Sequence, residues 1–350
     1  MKILVVQQKM IGDVLTSSIL FEALRAKYPD GQLDYVINSH TYAVVENNPF
    51  IDNFIFITPE MEKSKIAFYR FLKTLKKKKY DVVIDVYGKL SSTLISRFTS
   101  AKIKIAYYKK HTAFVLTHPI SRIKKPENNA SLAIENRLRL LEPLGIPFKN
   151  RVPKIYLKLK EITSAKKYLE TSQIQSSKPL YMISVLGSSA IKTYPAKYMA
   201  ILLDTLVEHK KDAQILFNYI PKQEEEAKAV YDYCLAETQK HIYFNVFGKS
   251  LREFLAITQQ CDALIGNEGG ANNMAKALNI PTFTIFSPYL NKANWFSENE
   301  PGNNVAIHLS DYISYNETDK AEAKKNPESY YLKLKPEFIK PALKKFLSNL

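Results

Sequence analysis

Short apolar runs rich in β-branched residues alternate along this chain with longer stretches in which apolar residues recur every three or four positions. The runs Lys2 to Val6, Leu33 to Ile37, Phe54 to Ile57, Asp81 to Asp85 and Lys102 to Ala106 predict strands. Between the first two, Leu15, Ile19, Leu20 and Leu24 sit at helical spacing within Val14 to Tyr28, and Pro29 to Gly31 ends the element. Lys65 to Lys79, Leu90 to Thr99 and Ser131 to Leu144 predict further helices, the last stopped by Gly145 and Pro147. Strands that alternate with helices of this length predict a parallel sheet covered on both faces.

Pro147 to Lys178 then reads as a crossing, with Pro153, a short helix from Ser164 to Glu170 and a polar stretch from Thr171. The alternation restarts beyond it. Leu180 to Val185, Gln214 to Phe217, Ile242 to Phe244, Ala263 to Gly266 and Thr282 to Phe286 predict strands, and Pro195 to Lys210, Gln223 to Glu237, Ser250 to Gln260 and Ala271 to Asn279 predict helices. The expected architecture is α/β, two doubly wound domains facing each other across a cleft, spanning residues 1–160 and 161–335. A last helix from Pro336 to Leu347, in a 336–350 tail, is expected to pack back on the first domain. No repeat of 20 to 50 residues with side-chain identity interrupts this plan.

Composition agrees with two folded domains. The 350 residues exceed the usual size of one hydrophobic core, and 46% hydrophobic with 24% charged residues can both fill and cover two. Cys234 and Cys261 have no metal-ligand spacing and sit in apolar runs, so reduced, buried thiols are expected. The N-terminus turns polar directly after Val6, unlike a signal peptide, and no run approaches the roughly 20 apolar residues that span a bilayer. A cytoplasmic location is the expectation.

The net charge of +16 changes the picture, because it attracts phosphates on nucleic acid, anionic lipid or a phosphorylated glycan. Lys76 to Lys79, Lys102, Lys104, Lys109, Lys110, Lys124 and Lys125 concentrate it in the first half. Solvated helix ends and basic loops explain this cluster; so does a peripheral contact with an anionic inner membrane. No nucleic-acid module is present and the aromatics sit mostly at core-like positions, so no nucleic-acid partner is expected.

In open α/β sheets ligands bind beyond the carboxyl ends of the strands, where helix N-termini present unpaired N–H groups. Four loops there carry candidate chemistry. After the first strand, Gln7-Gln8-Lys9-Met10-Ile11-Gly12-Asp13-Val14 places Asp13 at a helix start, which suits a helix-capping carboxylate and also a general base for an acceptor hydroxyl. After Leu180 to Val185, Gly187, Ser188, Ser189 and Lys192 suit a phosphate, and equally a serine-rich turn before the next helix. Phe247-Gly248-Lys249-Ser250-Leu251 fits a base or ribose contact, or a plain Ser250 N-cap. After Ala263 to Gly266, Asn267-Glu268-Gly269-Gly270-Ala271-Asn272-Asn273 sets two adjacent glycines at a helix start, where backbone amides can wrap an anion. Neither Gly-x-Gly-x-x-Gly nor a Gly-x-x-x-x-Gly-Lys-Ser/Thr loop occurs: Gly248-Lys249-Ser250 has Tyr243 where the upstream glycine would stand.

In order and spacing these segments resemble the lipopolysaccharide heptosyltransferase family of glycosyltransferases over nearly the whole chain. Met10-Ile11-Gly12-Asp13-Val14-Leu15 is similar to the family's opening motif, and Asn48-Pro49-Phe50-Ile51-Asp52 and Tyr80-Asp81-Val82-Val83-Ile84-Asp85 follow its habits. The match continues through Gly187 to Pro195, Gly248-Lys249-Ser250-Leu251 and Asn267 to Leu278. The resemblance implies a GT-B fold of two Rossmann-like domains, an acceptor-binding one first and a nucleotide-sugar-binding one second. It implies Asp13 as general base with Lys9 and Gly12 in the acceptor-side loop. For the donor it implies Gly187, Ser188 and Lys192 at the diphosphate, Ser189 in the same nucleotide-sugar site, Glu224 at the adenosine ribose and Lys249 in the nucleotide pocket. Glu268, Gly269, Gly270 and Asn273 stand where the family has Asp, Thr, Gly and His, so Glu268, Gly269 and Asn273 depart from its pattern.

The activity so implied is inverting transfer of a heptose-like sugar from ADP-heptose to a lipid-linked or phosphorylated glycan of the envelope, with Asp13 and Lys192 as catalytic groups. No metal or other cofactor is implied, and no Asp-x-Asp pair is present to hold a cation between phosphates. Because a carboxylate beside a pyrophosphate repels it, Glu268 is expected to face sugar hydroxyls. The same departures also fit a catalytically silent nucleotide-sugar-binding protein.

Overall fold

The computed structural model describes residues 1–299 and 302–350. It divides into two compact units, one formed by Met1–Tyr156 with Ala293–Asn299 and the other by Leu157–Lys292 with the C-terminal segment ending at Leu350.

The first unit is built on a six-stranded parallel sheet. Its strands are β1 (Lys2–Val6), β2 (Gln32–Asn38), β3 (Asn53–Ile57), β4 (Val82–Asp85), β5 (Ile103–Tyr107) and β6 (His118–Ile120), in the order β3-β2-β1-β4-β5-β6. The β1 and β4 sequences Lys-Ile-Leu-Val-Val and Val-Val-Ile-Asp are apolar nearly throughout because both faces of these strands are covered. One face buries Leu4, Val6, Val36 and Val83 against Phe71, Leu72 and Leu75 of the helix Lys65–Lys77 and Ile95 of the helix Leu90–Phe98.

The second unit carries β7 (Leu180–Ser184), β8 (Gln214–Phe217), β9 (Ala263–Asn267), β10 (Thr282–Ile285) and β11 (Asn304–Ile307), all parallel, in the order β11-β10-β9-β7-β8. In each sheet one neighbouring pair, β1 and β4 or β7 and β9, marks where the strand order reverses. The loops leaving such a pair diverge to opposite faces and open a crevice at the carboxyl ends.

The structure departs from the expected elements where local signals are short or interrupted. Edge strands β6 and β11 were not anticipated: β6 has three residues and contains Pro119, which a lone strand pattern tolerates only at an edge. Ile242 to Phe244 contributes one bridge, Ile215 to Ile242, rather than a strand. The single helix expected over Val14 to Tyr28 is two, Ile11–Ser17 and Ile19–Lys27, parted at Ser18, whose hydroxyl bonds back to the Leu15 carbonyl at 2.7 Å.

The tail corrects a packing expectation. The helix Pro336–Ser348 lies on Ala196–His209 of the second unit, not on the first domain. Its Ile339, Leu343, Phe346 and Leu347, spaced as one helical stripe, are fully buried in the second core, with the Phe346 ring 5.6 Å from Phe283. Lys344 to Glu208 at 3.3 Å and His209 to Ser348 at 2.9 Å close the rim.

Candidate functional site

At the β1–β4 reversal the chain leaves β1 through Gln7 and Gln8, both buried, and turns at Met10, whose φ of 65° is the left-handed region a side chain rarely adopts. That turn starts the helix Ile11–Ser17 and places Asp13 in its first turn. One Asp13 oxygen, Oδ1, accepts a 2.6 Å bond from Arg137 Nη2. Among the described residues no hydrogen bond engages Oδ2. Arg137 is buried and each of its three nitrogens is engaged: besides Nη2, Nε donates to Ser17 Oγ at 2.9 Å and Nη1 to the Ala133 carbonyl at 2.8 Å. Its Cζ lies 5.9 Å from the Trp295 ring. A planar cation held at three corners fixes the carboxylate's orientation.

Lys9 and Gly12 stand beside Asp13 in different ways. Lys9 pairs with Glu62, and this hydrogen bond raises the ammonium's pKa and lowers the carboxyl's. Gly12 offers its carbonyl to Thr16 Oγ1 at 2.8 Å. Across the reversal, Ser91 donates to Gln8 Oε1 at 2.7 Å, and buried Asp85 accepts the Gly88 N–H at 2.8 Å. Burial pushes the Asp85 carboxyl up to about 6, against the opposing pull of Gly88, Ser92 and Lys109.

The second unit gathers the donor-side candidates at the β7–β9 reversal. Asn267, the last residue of β9, is fully buried and braces both loops: Nδ2 donates to the Ser184 and Val185 carbonyls at 3.0 and 2.9 Å, and Oδ1 accepts the Tyr194 N–H at 2.7 Å. The β7 loop so held folds on itself, with Gly187 N–H donating to Thr193 Oγ1 at 3.0 Å. A Cβ on Gly187 would lie 2.2 Å from the Lys192 carbonyl oxygen, so glycine is required there by the loop's own closure rather than by an approaching ligand. Ser188 and Ser189 are exposed at its tip.

Lys192 reaches from this loop to Glu268, Nζ to Oε2 3.5 Å, with both side chains largely enclosed. Among the described residues Glu268 Oε2 has no hydrogen bond, and Lys192 is its ion-pair partner. Gly269 and Gly270 follow, opening the helix Gly270–Ala277. This helix has no side-chain cap, unlike the helix Leu251–Thr258, where Ser250 Oγ accepts the Glu253 N–H. A Cβ on Gly269 would meet nothing within 4 Å and one on Gly270 only the Met274 methyl at 3.9 Å. The start of this helix is therefore clear of side chains directly after Glu268 and its Lys192 contact, the kind of helix N-terminus that receives an anion. Asn273, half-buried, lies in the same first turn, while Asn272 is turned inward to Thr284 Oγ1 at 2.8 Å.

Glu224 and Lys249 sit further out. Glu224 starts the helix after β8, one residue beyond Gln223, whose amide reaches the Gly187 carbonyl at 3.4 Å. The Lys249 N–H is taken by Glu253 at 2.8 Å, leaving its exposed side chain on the rim of a 500 Å³ pocket with Tyr168, Phe247 and Ser250. Ser250 is thus the N-cap the sequence allowed. Arg137 and Asn267 were the functional positions the sequence reading passed over. Arg137 is 124 residues from Asp13 on an ordinary amphipathic helix, and the bracing bonds of Asn267 reach residues more than 70 positions away. Among the described residues no group of three His, Cys, Asp or Glu converges to hold a metal, and no helix is long and apolar enough to cross a membrane.

The family model for glycosyltransferase family 9 (heptosyltransferase) matches residues 68–328. A lipopolysaccharide heptosyltransferase 1 of Campylobacter coli is 25% identical over 309 residues, covering 85% of this chain and 87% of its own. Among solved structures, a family 9 glycosyl transferase from Veillonella parvula superposes with a TM-score of 0.83 at 19% identity, covering 100% of this chain and 98% of its own. The ADP-heptose LPS heptosyltransferase II of E. coli does so with a TM-score of 0.74 at 17% identity, covering 100% and 99%.

Proposed function

The chain belongs to glycosyltransferase family 9, the heptosyltransferases, with the GT-B fold of two doubly wound units, and on that footing we propose that it transfers a heptose-like sugar from ADP-heptose to a lipopolysaccharide-core-like envelope glycan. The observation that carries the donor side is the uncapped N-terminus of Gly270–Ala277, clear of side chains at Gly269 and Gly270, with Lys192 beside it at the β7–β9 reversal. ADP-heptose is favoured by the name of the E. coli relative, and a lipopolysaccharide acceptor by the names of both relatives.

In this reading the first-turn amides and Lys192 take the diphosphate and stabilise the charge that grows on it as the anomeric bond breaks. Asp13 accepts the proton of the attacking hydroxyl through Oδ2, the oxygen that Arg137 leaves unengaged, while the Arg137 bond to Oδ1 keeps the carboxylate aimed. Attack on the face opposite the departing diphosphate inverts the anomeric centre. Cationic neutralisation by Lys192 and the helix dipole supports a route that uses no divalent ion. Lys192 is paired with Glu268 in the free protein, so diphosphate binding exchanges a carboxylate for phosphate oxygens and frees Glu268 for sugar hydroxyls. Glu224 and Lys249 fall to the ribose and the rim of the nucleotide pocket, Ser188, Ser189 and Asn273 to the phosphates, and Lys9 and Gly12 to the acceptor side. We assign this work to the cytoplasm, with a peripheral position on the cytoplasmic face of the inner membrane as part of the same proposal.

The Lys192–Glu268 pair also favours a second reading, a nucleotide-sugar-binding protein without turnover, because the carboxylate already occupies the cation. One assay separates the two: ADP release from ADP-heptose in the presence of a heptose-free core acceptor. Acceptor-dependent release supports the transferase; tight ADP-heptose binding with no release over hours replaces it with the silent binder.

A further inference from the structure

Between Lys63 and Lys125 the sequence holds seventeen Lys and Arg residues and two acids, so these 63 residues carry fifteen of the sixteen net positive charges of the chain. Of these acids only Asp81 is exposed, its carboxylate accepting the Lys2 N–H at 2.7 Å, whereas Asp85 is buried beneath the Gly88 turn. Among the described residues no salt bridge joins any of the seventeen to a carboxylate.

The charge is interleaved with exposed apolar side chains. The helix Lys65–Lys77 turns Phe71, Leu72 and Leu75 into the core and shows solvent Ile66, Tyr69, Arg70, Lys73 and Lys77, a stripe at spacings of three, four, seven and eleven. Lys73 Nζ lies over the Tyr69 ring at 4.7 Å, and the Tyr69 ring meets Phe98 edge-on at 6.0 Å, tying this helix to Leu90–Phe98. That second helix exposes Leu90 and Arg97 and abuts the turn Ala113–Val115, which carries Phe114. Leu90 is 75% and Phe114 80% exposed, with Tyr108, Lys110 and His111 leading into the same turn.

The geometry points to this continuous surface, formed by the two helices and the loop after β5, as a docking face for a bilayer containing anionic phospholipid. Lysine ammoniums suit headgroup phosphates at the interface, while Ile66, Leu90 and Phe114 enter the acyl boundary. The composition selects this partner over nucleic acid. Fourteen of the seventeen cations are Lys rather than Arg, which suits point-charge contact with headgroup phosphates more than bidentate base-edge readout, and the exposed apolar side chains include the aliphatic Ile66 and Leu90, which suit an acyl boundary. The inference stands apart from the donor and acceptor assignments. Its failure would leave them in place.

Sedimentation of the full chain with vesicles of phosphatidylcholine alone or with 30% phosphatidylglycerol tests it. The expected result is binding to the anionic vesicles only, with K73Q/K77Q weakening it about 25-fold, since each surface cation contributes roughly a fivefold factor. L90S/F114S should bind at low salt but lose the fraction that resists about 0.5 M salt. Unchanged melting temperature and ADP response in both variants establish that the fold is intact. Equal binding to neutral and anionic vesicles, vesicle binding untouched by both double substitutions, or a preference for duplex or single-stranded nucleic acid over anionic vesicles would overturn the proposal.

Discussion

Asp13 and Arg137 form an ion pair in which the proposed function gives each charge a separate task. Asp13→Asn keeps an acceptor for Arg137 but cannot take a proton, so kcat should fall about 10²–10⁴-fold while ADP affinity stays within about twofold. Steady-state kinetics beside ADP titration check this, and full turnover in the variant would remove Asp13 from the chemistry. Asp85 makes a prediction about stability. Its folded pKa is raised to about 6 by burial, above the roughly 4 of an unfolded aspartate, so the folded state holds this proton more tightly. The stabilisation is complete below about pH 4 and is lost as pH rises through 6. Asp85→Asn should therefore gain on the wild type between pH 4 and 7, by up to roughly 3 kcal/mol, in denaturant melts at each pH. At this scale the sequence showed Asp13, because a carboxylate at the mouth of the first strand is visible locally. Arg137 was invisible, since its role exists only once two helices 124 residues apart are packed together.

The glycines around β9 separate folding from binding at the level of the element. Gly266, within the strand, has φ +129° and would push a Cβ to 2.4 Å from the Ser184 carbonyl, so Gly266→Ala should cost about 3 kcal/mol or more of stability. Gly269 has an extended backbone and open space, so Gly269→Ala should leave the melting temperature within about a degree and weaken ADP binding on the order of tenfold. Equal loss of stability in both would contradict the view that Gly269 and Gly270 are kept clear for a ligand. The C-terminal helix gives a third test: Phe346→Ala removes a fully buried ring against Phe283 and should destabilise by about 3–5 kcal/mol. Its helical stripe was plain in the sequence, but a stripe says only that a partner exists. Which partner it is depends on the apolar groove beside Ala196–His209, assembled from distant residues.

For the whole molecule, the alternation of apolar strands and amphipathic helices was enough to read two doubly wound units, because a strand buried on both faces leaves a continuous apolar run. Edge strands β6 and β11 escaped, as they are three and four residues long. The assignment of Ala293–Asn299 to the first unit escaped as well, since it breaks the sequence order of the domains. The position of the donor-side loops was legible: Lys192, Glu268, Gly269 and Gly270 gather at one strand-order reversal. What the sequence could not supply was their pairing, the Lys192–Glu268 contact above all. The central claim is that this gathering receives a nucleoside diphosphate. Thermal unfolding with ADP tests it most directly, because a ligand at 100 times its Kd adds about 2.7 kcal/mol to the folded state. The melting temperature should rise with ADP, and Lys192→Ala should abolish the rise; no rise in the wild type, or the same rise in the variant, would rule out a diphosphate at this loop.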